Sequence, residues 1–328
     1  MALHTLSGFV ISAISLLFVG VLPVRPSFAG QPVCQEDPAS LDTKVVDEAS
    51  GLALAPGGGF FVMNDSGDKP RFFRVNSKGR DLVEFNVSGW KPFDPEAIRV
   101  GPCPTVMPGL CLAVADIGDN RDRRKFVEVA FFAIDRLKTA ATLKPNRILR
   151  FRYPDGARNA EGFAVLSNSR LLVVTKEQDR KSRAAKPARL YTVGLSGTGS
   201  ALAEATAIFQ AEWDVPEWVK DHGLGGLVTD IDAAEVTKER LRVLILTYGC
   251  VVEAEASWTL GRLTLDNKRV YRVDSMEQQE AISYDDQKRG FYFTSEAPLA
   301  ALNWLSAGDR ARMPIRYVRP EACGDRLR

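Results

Sequence analysis

Three glutamates, Glu96, Glu161 and Glu280, each stand immediately before an apolar residue at the start of a strand-like run, in DPEAI, NAEGF and QEAI. Turn making explains Gly, Asp and Asn at strand ends, but glutamate has no such propensity. Carboxylates gathered in one narrow place repel one another unless protons or a cation intervene. Oxygen ligands from Glu, Asp, Asn and Ser suit a hard divalent cation, calcium before magnesium. The candidate ligands are Glu96, Asp116, Glu161, Asp230 and Glu280, joined by Asn64 and Asp65 of the NDSG segment. The chemistry such an ion permits is hydrolysis of an ester, lactone or phosphoester. Asp116 or Glu177 would take the proton of water, and Lys176 would either steady an anionic substrate or neutralise its neighbour Glu177. His222, in WVKDHGLGG, completes the catalytic candidates.

Histidine usage narrows the alternatives. The chain has two histidines, His4 and His222, so a zinc centre needing two or three imidazoles cannot be assembled from the folded part. No Gly-x-Ser-x-Gly elbow leads into a helix, which removes the α/β-hydrolase arrangement. The glycines at 57–59 read as a hairpin turn between two strands rather than a phosphate cradle.

The elements that must position these groups are strands. FFVMN, LVEFNV, CLAVAD, VAFFAI, LLVVTK, RVLILTY and FYFTSE are short, β-branched or aromatic, and bounded by Gly, Pro, Asn or Asp. A polar or acidic residue, then a small one, then an apolar one opens a run at Ser50-Gly51-Leu52, Glu96-Ala97-Ile98, Glu161-Gly162-Phe163, Asp230 to Ala233, and Glu280-Ala281-Ile282. The spacings are 46, 65, 69 and 50 residues, with 48 left to the C-terminus. Four-stranded propeller blades take about 40 to 50 residues, so the pattern predicts an all-β, five-bladed β-propeller with insertions in its two long units. A sixth blade would have to lie within residues 171–226. In the fourth unit the place of Glu96 falls to Asp230 or Asp232, and the choice matters because a one-residue slip turns a side chain to the other face.

In a four-stranded antiparallel blade the innermost strand starts on the upper face beside the channel, and the second strand returns there. The five openings and the polar clusters that end the second runs (64–67, 116–120, 175–177, 247–249 and 294–296) should therefore meet on one side of the disc.

Residues 9–22 form an apolar run, Pro23 and Pro26 follow, and Ser27-Phe28-Ala29 offers a small-x-small cleavage pattern. Residues 1–29 read as a signal peptide, with residues 30–328 as one propeller domain that is periplasmic or secreted and has no stable membrane span after cleavage. Removing Arg25 with the leader leaves 42 basic and 41 acidic residues, a balance that argues against nucleic acid as partner. The basic runs at 121–125 and 180–186 read as solvated turns. The expected partner is a small anionic or ester-like ligand, or an envelope protein, bound by a monomer. Cys103 and Cys111 flank a Pro- and Gly-containing loop and are expected to pair; Cys34 and Cys323 could lock the ring, which leaves Cys250 over.

The segments NDSG (64–67), DPEAI (94–98), DIGDN (116–120), RYPDG (152–156), NAEGF (159–163), TKE (175–177) and QEAI (279–282) resemble those of a family of exported bacterial β-propeller proteins with no settled activity. The resemblance covers nearly the whole chain after the leader. More distantly the chain is similar to phytase-like and gluconolactonase-like propellers, which hold calcium or another divalent metal in the channel. That likeness implies ligand roles for Glu96, Asp116, Glu161 and Glu280. A propeller can equally be a non-catalytic scaffold that binds a peptide, a glycan or an envelope protein, since fold alone does not choose.

Overall fold

The computed structural model describes residues 35–105, 107–139, 141–195, 204–214, 223–237, 240–259, 261–273, 276, 278–296 and 312–320. The leader, Cys34, His222 and Cys323 lie outside the described residues. Among those that are described, no helix is long and apolar enough to cross a membrane.

Strand β1 (Gln35–Leu41) precedes the first blade, which is built of β2 (Ala49–Leu54), β3 (Phe60–Asn64), β4 (Arg71–Val75) and β5 (Val83–Val87). The second blade comprises β6 (Pro95–Pro102), β7 (Leu110–Asp116) and β8 (Val127–Ala133), then, after a short β9 (Ala141–Leu143), β10 (Arg147–Arg152). The third has β11 (Ala160–Ser167), β12 (Arg170–Thr175) and β13 (Ala188–Gly194), then, after β14 (Ala205–Thr206), β15 (Ile208–Trp213). The fourth runs through β16 (Val228–Thr237), β17 (Arg240–Thr247), β18 (Val251–Thr259) and β19 (Arg262–Tyr271). The fifth has β20 (Gln279–Tyr284), β21 (Phe291–Ser295) and β22 (Met313–Val318), and β1 supplies its outermost strand. The chain is therefore a five-bladed β-propeller, closed by pairing its first strand with its last, with Gln35 opposite Val318.

The inner and second strands are largely buried because neighbouring blades cover both of their faces, and every residue of β3 and β20 is buried. Five apolar clusters fill the five wedges between blades. Phe72, Phe85 and Phe132 join the first two blades, for example, and Phe131, Phe163 and Tyr191 join the second and third. Close approach at the centre needs small residues: a Cβ on Gly162 would stand 2.6 Å from the backbone nitrogen of Ile231 on the next inner strand.

The two long units carry straps. β9 leaves the second blade and pairs in parallel with β5 of the first, and β14 leaves the third to pair with β10 of the second. The expected disulfide between Cys103 and Cys111 is formed and closes the loop between β6 and β7. Cys250 is a buried free thiol.

One irregularity repeats in every blade. The register between inner and second strand slips between Ala49 and Gly51, Pro95 and Ala97, Ala160 and Gly162, Val228 and Asp230, and Gln279 and Ala281. The residue left over in each bulge is Ser50, Glu96, Glu161, Thr229 and Glu280. An extra residue in a ladder has no cross-strand partner and is free to be re-aimed. In the fourth blade that residue is Thr229, which corrects the expectation that Asp230 or Asp232 would match Glu96.

Candidate functional site

The five bulge residues are all buried. The two hydroxyls fasten the ring: Ser50 Oγ donates to the Glu96 carbonyl at 2.9 Å, and Thr229 Oγ1 to that of Gln279 at 2.8 Å. The three glutamates converge as expected, but they divide into two groups.

Glu96 joins Asp65 and Asp94, and the three can each present one carboxylate oxygen such that all lie within 4.8 Å of one another. Calcium binds oxygens at about 2.4 Å, so ligands on opposite sides of one ion are separated by about 4.8 Å. The spacing therefore suits a single hard cation. Asp65 comes from the loop after β3, where its Oδ1 accepts the Ser66 N–H at 2.5 Å. Asp94 precedes β6; its N–H donates to Asp116 Oδ1 at 2.8 Å and its carbonyl accepts the Gly118 N–H at 3.0 Å. Burial, then Glu161, Asp65 and Asp94, holds the Glu96 carboxyl well above its usual range. Burial and the Asp65 charge lift Asp94 to about 6. These are carboxylates short of counter-charge.

Glu161 and Glu280 have a cation between them. Lys176 Nζ lies 3.4 Å from Glu161 Oε2 and 3.8 Å from Glu280 Oε1, and it donates to Tyr248 Oη at 3.0 Å. Tyr248 Oη in turn donates to Glu280. Asn159 Nδ2 donates to Glu161 Oε1 at 2.9 Å. Burial opposes the Lys176 charge, but Glu161 and Glu280 outweigh it and raise its pKa, so this lysine is a fixed internal cation. It is shared by two ring glutamates rather than pairing with its neighbour Glu177, which lies 3.9 Å from Arg158.

Other expected site residues lie elsewhere. Asp116 receives both terminal nitrogens of Arg124, at 2.8 and 2.7 Å, and so holds Asp94 in place rather than facing the triad. Asp230 is buried below the ring: Arg99 pairs with it, and its oxygens accept the N–H groups of Ile231 and Ile282, both at 2.8 Å. Its side chain is spent on the channel wall, which removes it from the ligand set. Asn64 Nδ2 bonds Val45 O and Asp68 Oδ2, while its buried Oδ1 has no hydrogen-bond partner.

Sequence reasoning missed Asp94, Glu296 and Gly118. Asp94 stands two residues before Glu96 in the DPEAI segment and was readable as a turn. Glu296 ends the fifth polar cluster; burial, then Asp65, lifts its carboxyl to about 7. A Cβ on Gly118 would sit 2.6 Å from Asp94 Cγ and closer still to Glu96 Oε1. Because the clash is with movable carboxylate ends, Gly118→Ala should leave the unfolding free energy within about 1 kcal/mol of wild type. It should also weaken divalent-cation binding at least tenfold, read by calorimetric titration with calcium. Equal calcium affinity in the two proteins would separate Asp94 and Glu96 from any ion site.

No protein-family model matches the chain, and no curated protein sequence matches it. The solved structures it is similar to include a putative oxidoreductase (glucose dehydrogenase) from Thermus thermophilus, at 10% identity over 87% of this chain and 100% of that one, with a TM-score of 0.44. A luciferin-regenerating enzyme shares 10% identity over 84% of this chain and 92% of its own, with a TM-score of 0.41. A putative 6-phosphogluconolactonase from Bacteroides uniformis shares 12% over 75% and 64%, at 0.37. At such similarity no residue role transfers, and the site rests on its own geometry.

Proposed function

We propose that the chain is an exported, monomeric propeller that binds a divalent cation, calcium first, among Asp65, Asp94 and Glu96, and hydrolyses a small anionic ester, lactone or phosphoester there. The observation that carries this reading is the clustering of three ligand oxygens within 4.8 Å on an upper face whose buried lysine, Lys176, is already shared by Glu161 and Glu280. A bound cation would supply Lewis-acid polarisation and a more acidic water. The protein's part is to fix the ligands through Asp116, Ser66 and Gly118, and to offer Glu296, oriented by the Gln278 amide at 2.6 Å, as proton acceptor. Asp116 and Glu177, named for that task from sequence, are held instead by Arg124 and Arg158. Their engagement favours a second reading, in which the same ion organises a non-catalytic face for a peptide, glycan or envelope protein.

Calcium at a hundred times its dissociation constant should stabilise the native state by roughly 2.7 kcal/mol, raising the melting temperature reversibly with chelator. Asp94→Asn should lose most of that rise. A wild-type melting curve indifferent to calcium and chelator, with no metal in elemental analysis, would remove the metal reading. Calcium-dependent stabilisation without turnover of any ester, lactone or phosphoester substrate would leave the binding reading in its place.

A further inference from the structure

The two basic runs that read as separate solvated turns are brought together by the fold. The segments around 121 and 180 are 59 residues apart, yet Arg180 Nη2 reaches Asp122 Oδ2 at 2.5 Å and the Arg121 carbonyl at 3.4 Å. Between them lies a cavity of about 540 Å³ beside the acidic ring, whose floor includes Lys176, Tyr248 and Asn159. Four arginines and two acidic side chains line it, besides Lys176, whose charge Glu161 and Glu280 already take up. Arg180 is matched by Asp122 and Glu177 by Arg158, but Arg121, Arg123 and Arg183 make no ion pair among the described residues.

These walls are built turns. Asp119 Oδ2 accepts the backbone N–H groups of Arg123 and Arg124, both at 2.6 Å, so the first turn is wound around a buried carboxylate. Asp179 does the same for the second: its Oδ1 accepts the N–H groups of Lys181 and Ser182 at 3.0 and 2.9 Å, and Lys186 Nζ lies 3.1 Å from its other oxygen. Those hydrogen bonds and Lys186 hold the Asp179 carboxyl below its usual range. Gln178 Nε2 caps the second turn on the Arg183 carbonyl at 2.9 Å. Turns fixed in this way set the backbone from which the arginines project, and guanidinium forks match oxyanions bidentately.

We infer that this pocket is a recognition site for a small molecule carrying two or more oxyanionic charges, held by Arg121, Arg123 and Arg183 with its uncharged end toward Tyr248 and the acidic ring. The inference deepens the function proposed above by naming the charge class of its ligand, and it rests on that reading only for what happens to the ligand next. Phosphate and carboxylate groups share the chemistry that the arginines recognise.

The test is calorimetric titration of the purified protein with pyrophosphate, citrate and acetate at low ionic strength. Metal is stripped beforehand on a chelating resin and no soluble chelator is present, so that neither a bridging metal nor a competing polycarboxylate enters the titration. Pyrophosphate, citrate or both should bind saturably and at least tenfold more tightly than acetate, and the stronger of the two identifies the source of the charge. Arg123→Ala and Arg183→Ala should each weaken that binding at least fivefold. Lys69→Ala, which removes an equal charge from the first blade, should leave it unchanged. Absence of saturable binding by both polyanions, or equal affinity in the arginine variants, overturns the site. A calcium titration of Arg183→Ala keeps the two ideas separate. Retained calcium binding with lost anion binding supports the pocket, whereas anion binding by a protein that never takes up calcium sinks the metal reading alone.

Discussion

Replacing Arg99 with methionine is expected to destabilise the propeller by about 3 to 5 kcal/mol, the usual cost of stripping one partner from a buried ion pair. Arg99 is 2% exposed and spans the channel below the acidic face. Its guanidinium meets Asp230, lies 3.7 Å from Asp232, and donates to the carbonyls of Leu52 at 3.1 Å and Ile231 at 3.0 Å. Inner strands have no ladder partner on the channel side, so their polar groups need side chains to satisfy them. Asp230 and Asp232 do this for the N–H groups of Ile282 and Tyr284, and Arg99 does it for carbonyls of the first and fourth blades. Methionine would leave a fully buried Asp230 facing no cation. Urea unfolding should show the midpoint falling at unchanged slope. Because neutralising both partners removes the orphaned charge, Arg99→Met combined with Asp230→Asn should recover part of the loss. A single variant within about 1 kcal/mol of wild type would mean that the pair contributes nothing to holding the channel.

Much of this arrangement was legible in the chain. The motif that opens each unit is the signature of an inner strand, and in each case the second run ends its strand on the same face, as at Asn64, Asp116, Thr175, Thr247 and Ser295. These are local patterns repeated at blade spacing, which is why the blade number could be read from them. Two things were not local. The bulge that singles out Ser50, Glu96, Glu161, Thr229 and Glu280 depends on pairing between strands, so Asp230, the more conspicuous residue, took the place of Thr229. Which carboxylates go uncompensated depends on which cations reach them. Arg99 comes to Asp230 from 131 positions away and Lys176 to Glu280 from 104, distances in sequence that no spacing rule reads. Arg124 beside Asp116 was within reach, eight residues on, but a run of four basic residues in five gives no sign of which one turns inward.

The loss of stability with rising pH should be opposed by metal. In chelator, stability should fall as pH rises from about 4 to 8, because the native state holds protons that the unfolded chain releases. Asp94 is raised from 3.8 to about 6, Glu296 from 4.5 to about 7 and Glu280 from 4.5 to about 8, in each case first by burial. A group raised in the folded state contributes stability that is complete below its unfolded pKa and is lost as pH climbs through its folded one. The loss should therefore begin near pH 4 and extend through pH 8. One pKa unit is worth about 1.4 kcal/mol before solvent screening is discounted, so shifts of this size give a slope that urea unfolding resolves. A cation competes with the protons on Asp65, Asp94 and Glu96 for the same oxygens, so calcium should add most at high pH and little at pH 5. Urea unfolding at pH 5, 6, 7 and 8, in chelator and in excess calcium, gives two curves that should separate steadily as pH rises. Glu96→Gln should flatten the chelator curve by removing a buried carboxyl of the triad whose pKa is raised, and it should bring the calcium curve down toward it. A wild-type protein that gains stability between pH 5 and pH 8 in chelator would show these carboxylates to be ionised and at ease without a metal, and the site would then be a network of salt bridges centred on Lys176.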